Sequence, residues 1–203
     1  MLTKRERWIL ILLVISAFIN YLDRATLSVG AASILAGVLY TGGPRPYGYE
    51  GLGEVFVFLF FGIVAVTGSY FVQRRALPWQ AFVLAVPVGL LIAGILIVNN
   101  VRDIDTDRRA GKRTLAVRLG RERTRVLFAV IVATAFLASW VPWFAGALSP
   151  WLFVTAAAAP LAIGVVQTVR THADGPSLNA ALARSAKLAL LFCLLLCGGV
   201  LAS

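Results

Sequence analysis

The sequence has 203 residues, of which 60% are hydrophobic and 14% are charged, and its formal net charge at pH 7 is +10. A soluble domain typically carries about 25% charged residues, so this composition excludes an ordinary soluble protein. The basic residues lie in short segments between long apolar blocks. That distribution is typical of the positive-inside rule and of contact with anionic membrane lipid. It argues against nucleic acid as a partner.

The apolar blocks predict a series of membrane-spanning helices. A first apolar run is interrupted by Asp23 and Arg24 and continues more weakly to Tyr40, where a loop rich in Gly and Pro begins. Five clear apolar spans follow, at about residues 54–73, 78–100, 126–147, 150–169 and 183–202. A helix of about 20 apolar residues crosses a bilayer, whereas an open sheet edge is unstable in lipid. The predicted fold class is therefore all-α, a polytopic transmembrane helix bundle.

The loop after the second clear span is the most polar part of the sequence. From Arg102 to Arg125 it holds nine Arg or Lys residues. The positive-inside rule predicts that this loop is cytoplasmic. Counting spans from there places the loops at 41–53 and 170–182 on the same side.

Two aspartates in this loop could form a metal site. Asp103 and Asp107 are four residues apart, so they share one face if the preceding helix continues through them. Two such carboxylates can hold Mg²⁺, which prefers oxygen ligands and also binds phosphate. Arg102, Lys112 and Arg113 could then neutralise a diphosphate. A solvated charged loop that only fixes orientation fits the same residues, and the spacing alone leaves both alternatives open.

Two stretches resemble a known family. The stretch NNVRDIDTDRRAGKRTLAVRLG, residues 99–120, resembles the second aspartate-rich motif of the UbiA-type intramembrane prenyltransferases. It is most similar to the branch that prenylates 1,4-dihydroxy-2-naphthoate for menaquinone biosynthesis. The loop YTGGPRPYGYEGLGE, residues 40–54, resembles the same branch, and so does the stretch from Gly175 through the last span. The resemblance covers roughly residues 33–203 and implies nine helices around a cavity that opens to lipid.

This resemblance implies a Mg²⁺-dependent polyprenyltransferase of the bacterial inner membrane, with the aspartate-rich loop cytoplasmic. Its substrates would be a polyprenyl diphosphate and an aromatic acceptor. Asp103 and Asp107 would be the Mg²⁺ ligands and catalytic residues, and Asp105 a further ligand or the charge partner of Arg102. The expected substrate contacts are the other polar residues of the two stretches: Asn99, Arg102, Lys112, Arg113, Tyr47, Tyr49 and Glu54. The two tyrosines fit an aromatic belt at the membrane interface equally well.

The N-terminal part departs from this family. No paired carboxylates precede Tyr40, whereas the family carries a first aspartate-rich motif there, and the five clear spans correspond to its fifth to ninth. Residues 7–30 instead resemble the first span of major facilitator transporters. We therefore expect a transporter-like segment at 1–32, fused to a prenyltransferase domain at 33–203 that is truncated relative to nine helices. Activity is expected to be impaired; a transporter fragment or a membrane protein without catalysis are the alternatives.

Overall fold

The computed structural model describes residues 50–203. The division near residue 32 and the predictions for Tyr47 and Tyr49 lie outside the described residues. Between residues 50 and 203 all regular structure is helical. Five helices there are long and apolar enough to cross a membrane, which confirms the predicted multi-pass bundle: α1 (Gly53–Arg74), α2 (Trp79–Arg109), α4 (Arg121–Phe144), α5 (Pro150–Thr171) and α6 (Gly175–Leu201). A short helix, α3 (Leu115–Leu119), lies between α2 and α4.

Several helices extend beyond the apolar spans that predicted them. Helix α2 continues past residue 100 to Arg109, and α6 begins at Gly175 instead of about residue 183. The start of α6 is capped by Asp174, whose side chain accepts a 2.8 Å hydrogen bond from the backbone N–H of Ser177. Such a cap satisfies a free N–H group at a helix start outside the apolar region. Hydropathy therefore locates the membrane-embedded part of each helix but not its polar ends.

Helices α1 and α2 cross at two glycines. A methyl group added to Gly62 would lie only 2.4 Å from the Cα atom of Gly89, and one added to Gly89 would lie 2.9 Å from the Cα atom of Gly62. Small residues of this kind allow the backbones of membrane helices to approach closely. The crossing lies within a π-helical section of α1 (Phe58–Val64). This backbone contact fixes the position of α1 along α2.

Helix α2 is the central helix of the described part. In its most apolar stretch 67% of the residues are buried, against 33–44% in the other four spanning helices. It packs against α1, α4 and α6, and α6 packs in turn against α5. Phe128 of α4 and Phe192 of α6 are among the largest fully buried side chains. The polar end of α2 therefore projects from the middle of the bundle and is held by its neighbours.

Candidate functional site

All three aspartates of the predicted motif lie on the last turns of α2. Because this helix continues to Arg109, Asp103 and Asp107 lie one turn apart on the same face, as their spacing predicted. Asp105 points away from that face. The side chains of Asp107 and Asp103 are 10% and 33% exposed, whereas that of Asp105 is 70% exposed.

The carboxylate of Asp103 is bound at both oxygens by Arg102. Arg102 Nε donates to Oδ1 and Nη2 donates to Oδ2, each at 2.7 Å. The same guanidinium donates from Nη1 to Asn179 Oδ1 at 2.7 Å and from Nη2 to Asn99 Oδ1 at 2.8 Å. Arg102 thus joins the end of α2 to the start of α6. These contacts bring Asn99, Arg102 and Asp103 together.

Asp107 has a different partner. Lys112 Nζ donates to its Oδ1 at 2.9 Å. Lys112 directly follows Gly111, which has a φ of +73° in the turn after α2. The other oxygen of Asp107, Oδ2, has no hydrogen-bond partner within residues 50–203. It is therefore open to a further ligand.

Asp105 pairs with a residue other than the one expected. Its Oδ2 accepts a 2.8 Å hydrogen bond from Arg121 Nη2, and Arg121 also donates from Nη1 to the carbonyl of Val101. Asp105 is therefore not the charge partner of Arg102, because it faces the first residue of α4 while Arg102 is occupied by Asp103. In the part of the chain that the structure describes, no group of three or more His, Cys, Asp or Glu side chains lies close enough to hold a metal ion. The structure thus places Asp105 apart from Asp103 and Asp107.

A buried polar pair lies beside the aspartates. Asn100 Nδ2 donates to Glu54 Oε1 at 2.8 Å, and the two residues are only 6% and 5% exposed. The sequence predicted Glu54 near the site but did not single out Asn100 or Asn179. Asn100 follows Asn99 where the apolar span ends, which could have drawn attention to it. Asn179 has no such signal, because its role depends on the contact between α2 and α6.

Basic residues surround these carboxylates. Lys112 is half-buried against Asp107, while Arg113 is exposed and its guanidinium forms no hydrogen bond or ion pair with the described residues. Arg118 pairs with Glu50 at 3.2 Å and also donates to the carbonyl of Arg113 at 3.0 Å. Two carboxylates one turn apart, with cations on each side, can bind a divalent metal ion together with an anionic phosphate group.

A groove of about 510 Å³ lies elsewhere, between α4 and α5. Its lining is apolar except for Gln167 and Arg170, and none of the predicted site residues contributes to it. The groove is therefore separate from the aspartates of α2.

Comparison with known proteins identifies relatives of most of the chain. The sequence profile of the UbiA prenyltransferase family matches residues 3–191, a range that includes residues 7–30 with the transporter resemblance. The 1,4-dihydroxy-2-naphthoate octaprenyltransferase of Mycobacterium tuberculosis is 44% identical over 176 residues, which cover 87% of this chain and 59% of that protein. The Escherichia coli protein of the same name is 38% identical, and the match covers 87% of this chain and 58% of that protein. This chain therefore spans somewhat more than half the length of the curated relatives that it matches.

A solved structure of digeranylgeranylglyceryl phosphate synthase superposes on the chain with a TM-score of 0.59. The sequences are 16% identical, and the superposition covers 88% of this chain and 63% of the other. At that identity the likeness shows a shared helical membrane fold.

Proposed function

The chain belongs to the UbiA prenyltransferase family, as its two motifs predicted, and on that premise we propose that it transfers a polyprenyl group from its diphosphate to 1,4-dihydroxy-2-naphthoate. This reaction belongs to menaquinone biosynthesis. The proposal is supported by curated 1,4-dihydroxy-2-naphthoate octaprenyltransferases that are 38–45% identical to the chain. It also rests on the arrangement at the end of α2. Because the chain spans little more than half of those relatives, the proposal concerns the part of the site that these residues form.

The observation that carries the proposal is the pair formed by Asp103 and Asp107. The two carboxylates lie on one face of α2, and Asp107 keeps one oxygen without a partner among the described residues. Mg²⁺ accepts one or two protein carboxylates and completes its coordination with water and phosphate oxygens, so this donor set fits it. We propose Asp103 and Asp107 as the residues that would hold Mg²⁺. When bound, the metal would supply positive charge that stabilises the departing diphosphate.

The basic residues around this pair are proposed to bind the diphosphate. Lys112 is within contact distance of Asp107, and Arg113 is exposed on the same turn. Their charges would attract the phosphate oxygens and hold the allylic carbon next to the acceptor, which lowers the barrier by orientation. Apolar helices around the reacting carbon would exclude water from the cation that forms when diphosphate leaves.

The buried pair of Glu54 and Asn100 is proposed to position the acceptor side of the site. Because the Glu54 carboxylate is buried against Asn100, it acts through that contact instead of touching the acceptor. The contact fixes the start of α1, which follows Tyr47 and Tyr49 in the sequence. We propose those tyrosines for the acceptor contacts.

The basic residues at this end of the bundle support a proposal for the orientation of the chain. Three contacts bring the helix ends on this side together. Glu54 contacts Asn100 and joins the start of α1 to α2, and Arg102 contacts Asn179 and joins the end of α2 to the start of α6. Arg125 contacts the His172 carbonyl and joins the start of α4 to the end of α5. By the positive-inside rule we propose that this basic end faces the cytoplasm of a bacterial cell, with the helices in its inner membrane.

The test is a prenyl-transfer assay on the purified chain in lipid nanodiscs. The reaction would contain Mg²⁺, 1,4-dihydroxy-2-naphthoate and labelled polyprenyl diphosphates of several lengths, with an active full-length relative as the positive control. We expect weak transfer, because the sequence carries one aspartate-rich motif, and we expect Asp107→Asn to lower it at least about tenfold. Asp105→Asn, at the exposed aspartate, is the matched control and should leave transfer unchanged. Transfer that persists without Mg²⁺ or in Asp107→Asn would contradict the proposal.

A further inference from the structure

Arg102 occupies the Asp103 carboxylate that the proposed metal would need. Both oxygens accept from Arg102 at 2.7 Å, which is the two-pronged geometry that makes arginine–carboxylate pairs strong. Resting on the proposed function, we infer that Arg102 competes with the metal for Asp103. When both ligands bind, Arg102 leaves Asp103 and contacts the diphosphate, and the metal binds Asp103 in its place. Metal and diphosphate would then bind as a coupled pair.

Two asparagines hold Arg102 in this position. Asn99 accepts from one guanidinium nitrogen and Asn179, at the start of α6, accepts from another. These contacts orient the planar guanidinium along the Asp103 carboxylate. Asn179 is thereby a positioning residue, since it acts on Asp103 only through Arg102. Asn179 is also exposed, so the guanidinium can leave this contact without crossing packed side chains.

The two proposed metal ligands differ in how open they are. Lys112 contacts only one oxygen of Asp107 and leaves the other without a partner in the described part of the chain. At Asp103, by contrast, both carboxylate oxygens accept hydrogen bonds from Arg102. A divalent cation alone would therefore gain one free carboxylate oxygen at Asp107, but it must displace the Arg102 guanidinium to reach Asp103.

A diphosphate changes this balance. Its oxygens offer Arg102 a charged acceptor equal to the carboxylate that it gives up. Arg102 can then turn from Asp103 to the diphosphate, and Asp103 becomes available to the metal. Coupling of this kind is reciprocal, so each ligand raises the affinity for the other by the same factor.

The experiment measures Mn²⁺ as a paramagnetic substitute for Mg²⁺. The 203-residue chain in nanodiscs of uncharged lipid would be titrated with Mn²⁺, with and without inorganic pyrophosphate, and bound Mn²⁺ would be read by electron paramagnetic resonance at matched free Mn²⁺. For the wild type, pyrophosphate should tighten Mn²⁺ binding. In Arg102→Gln, Mn²⁺ alone should bind about three- to tenfold more tightly, since its competitor is gone. The factor by which pyrophosphate raises the Mn²⁺ affinity should be smaller in the same variant than in the wild type.

Two further variants separate this exchange from a general effect of charge or folding. Arg121→Gln removes the same charge from the pair with Asp105 and should leave both titrations as in the wild type. Asn179→Ala should shift Mn²⁺ binding in the direction of Arg102→Gln, by a smaller factor. Arg102→Lys keeps the charge without the two-pronged geometry, and it should also bind Mn²⁺ alone more tightly than the wild type.

The outcomes distinguish this inference from the proposed function. If the wild type binds Mn²⁺ with pyrophosphate but neither Arg102 variant binds Mn²⁺ alone more tightly, the exchange is refuted and the metal site stands. An equal change in Arg121→Gln also refutes the exchange, because charge alone would explain it. If the wild type shows no Mn²⁺ binding that depends on pyrophosphate, the proposed metal and diphosphate site fails together with the exchange.

Discussion

Replacing Gly62 with alanine should separate α1 from α2 and weaken the contact that positions Glu54. The added methyl group would lie 2.4 Å from Gly89 Cα and 3.0 Å from Gly89 N. Both are backbone atoms, so no side-chain rotation can relieve the overlap. Ordinary contact for such a carbon begins at 3.4 Å, and the two helices must therefore move apart by about 1 Å at the crossing.

The cost follows from this displacement. Overpacking of a tight contact costs about 1–3 kcal/mol. Glu54 and Asn100 lie along the same two helices, about 12 and 16 Å from the crossing at a rise of 1.5 Å per residue. A shift of α1 would stretch their 2.8 Å hydrogen bond, which adds about 1 kcal/mol. The better helix propensity of alanine offsets roughly 0.5–1 kcal/mol of this cost, so the net loss should be about 1–3.5 kcal/mol.

The assay is reversible unfolding of the purified chain in mixed micelles by titration with SDS, followed by circular dichroism. Gly164→Ala is the matched control, because a methyl group there meets nothing within 4 Å and gains the same helix propensity. We expect Gly62→Ala to lower the free energy of unfolding and Gly164→Ala to leave it unchanged or raise it. A Gly62→Ala variant as stable as Gly164→Ala would refute the close crossing.

Three further predictions use the same unfolding assay. A methyl group at Gly199 would lie 2.7 Å from a carbonyl oxygen of α5, whereas the adjacent Gly198 faces open space. Gly199→Ala should therefore unfold at a lower SDS concentration than Gly198→Ala. Equal unfolding midpoints in the two variants would contradict this contact. Glu54→Ala should lower the free energy of unfolding by about 1–3 kcal/mol because the buried amide of Asn100 loses its acceptor. Glu54→Gln keeps an acceptor and should lower the free energy of unfolding by less. Equal losses in the two variants would argue against the hydrogen bond. The N–H group of Ser177 lowers the pKa of Asp174, so this cap stabilises α6 above the ordinary pKa of aspartate and is lost as pH falls through the lowered pKa. Asp174→Ala should therefore destabilise the chain at pH 7 and match the wild type in acid, and a loss that does not change with pH would count against the cap.

The sequence predicted the five spans because lipid imposes a direct requirement on hydrophobicity and length. It did not predict where the helices end. The last turns of α2 and the first turns of α6 are polar, and they are helical because of caps and neighbouring helices. Hydropathy therefore gave the membrane-embedded segments but missed the part of α2 that carries the aspartates.

For the candidate site, the sequence predicted the local arrangement of the aspartates but not their contacts with other helices. The spacing of Asp103 and Asp107 was sufficient to place them on one face, since helical geometry decides that within four residues. The partner of Arg102 in α6, Asn179, lies 77 residues away. The Arg121 partner of Asp105 depends equally on how α4 packs against α2. Such contacts are set by tertiary packing, which local spacing in a single sequence does not encode.

In the proposed site, Asp103 and Asp107 together hold a metal ion and a prenyl diphosphate. The most direct measurement is the Mg²⁺-dependent retention of a labelled polyprenyl diphosphate by chain-containing nanodiscs, corrected for empty nanodiscs and for samples with a chelator. We predict that Asp103→Asn and Asp107→Asn each lower this retention at least about tenfold, and that Asp105→Asn retains it. Retention that is unchanged in Asp107→Asn, or lost equally in all three variants, would contradict a joint metal site of Asp103 and Asp107.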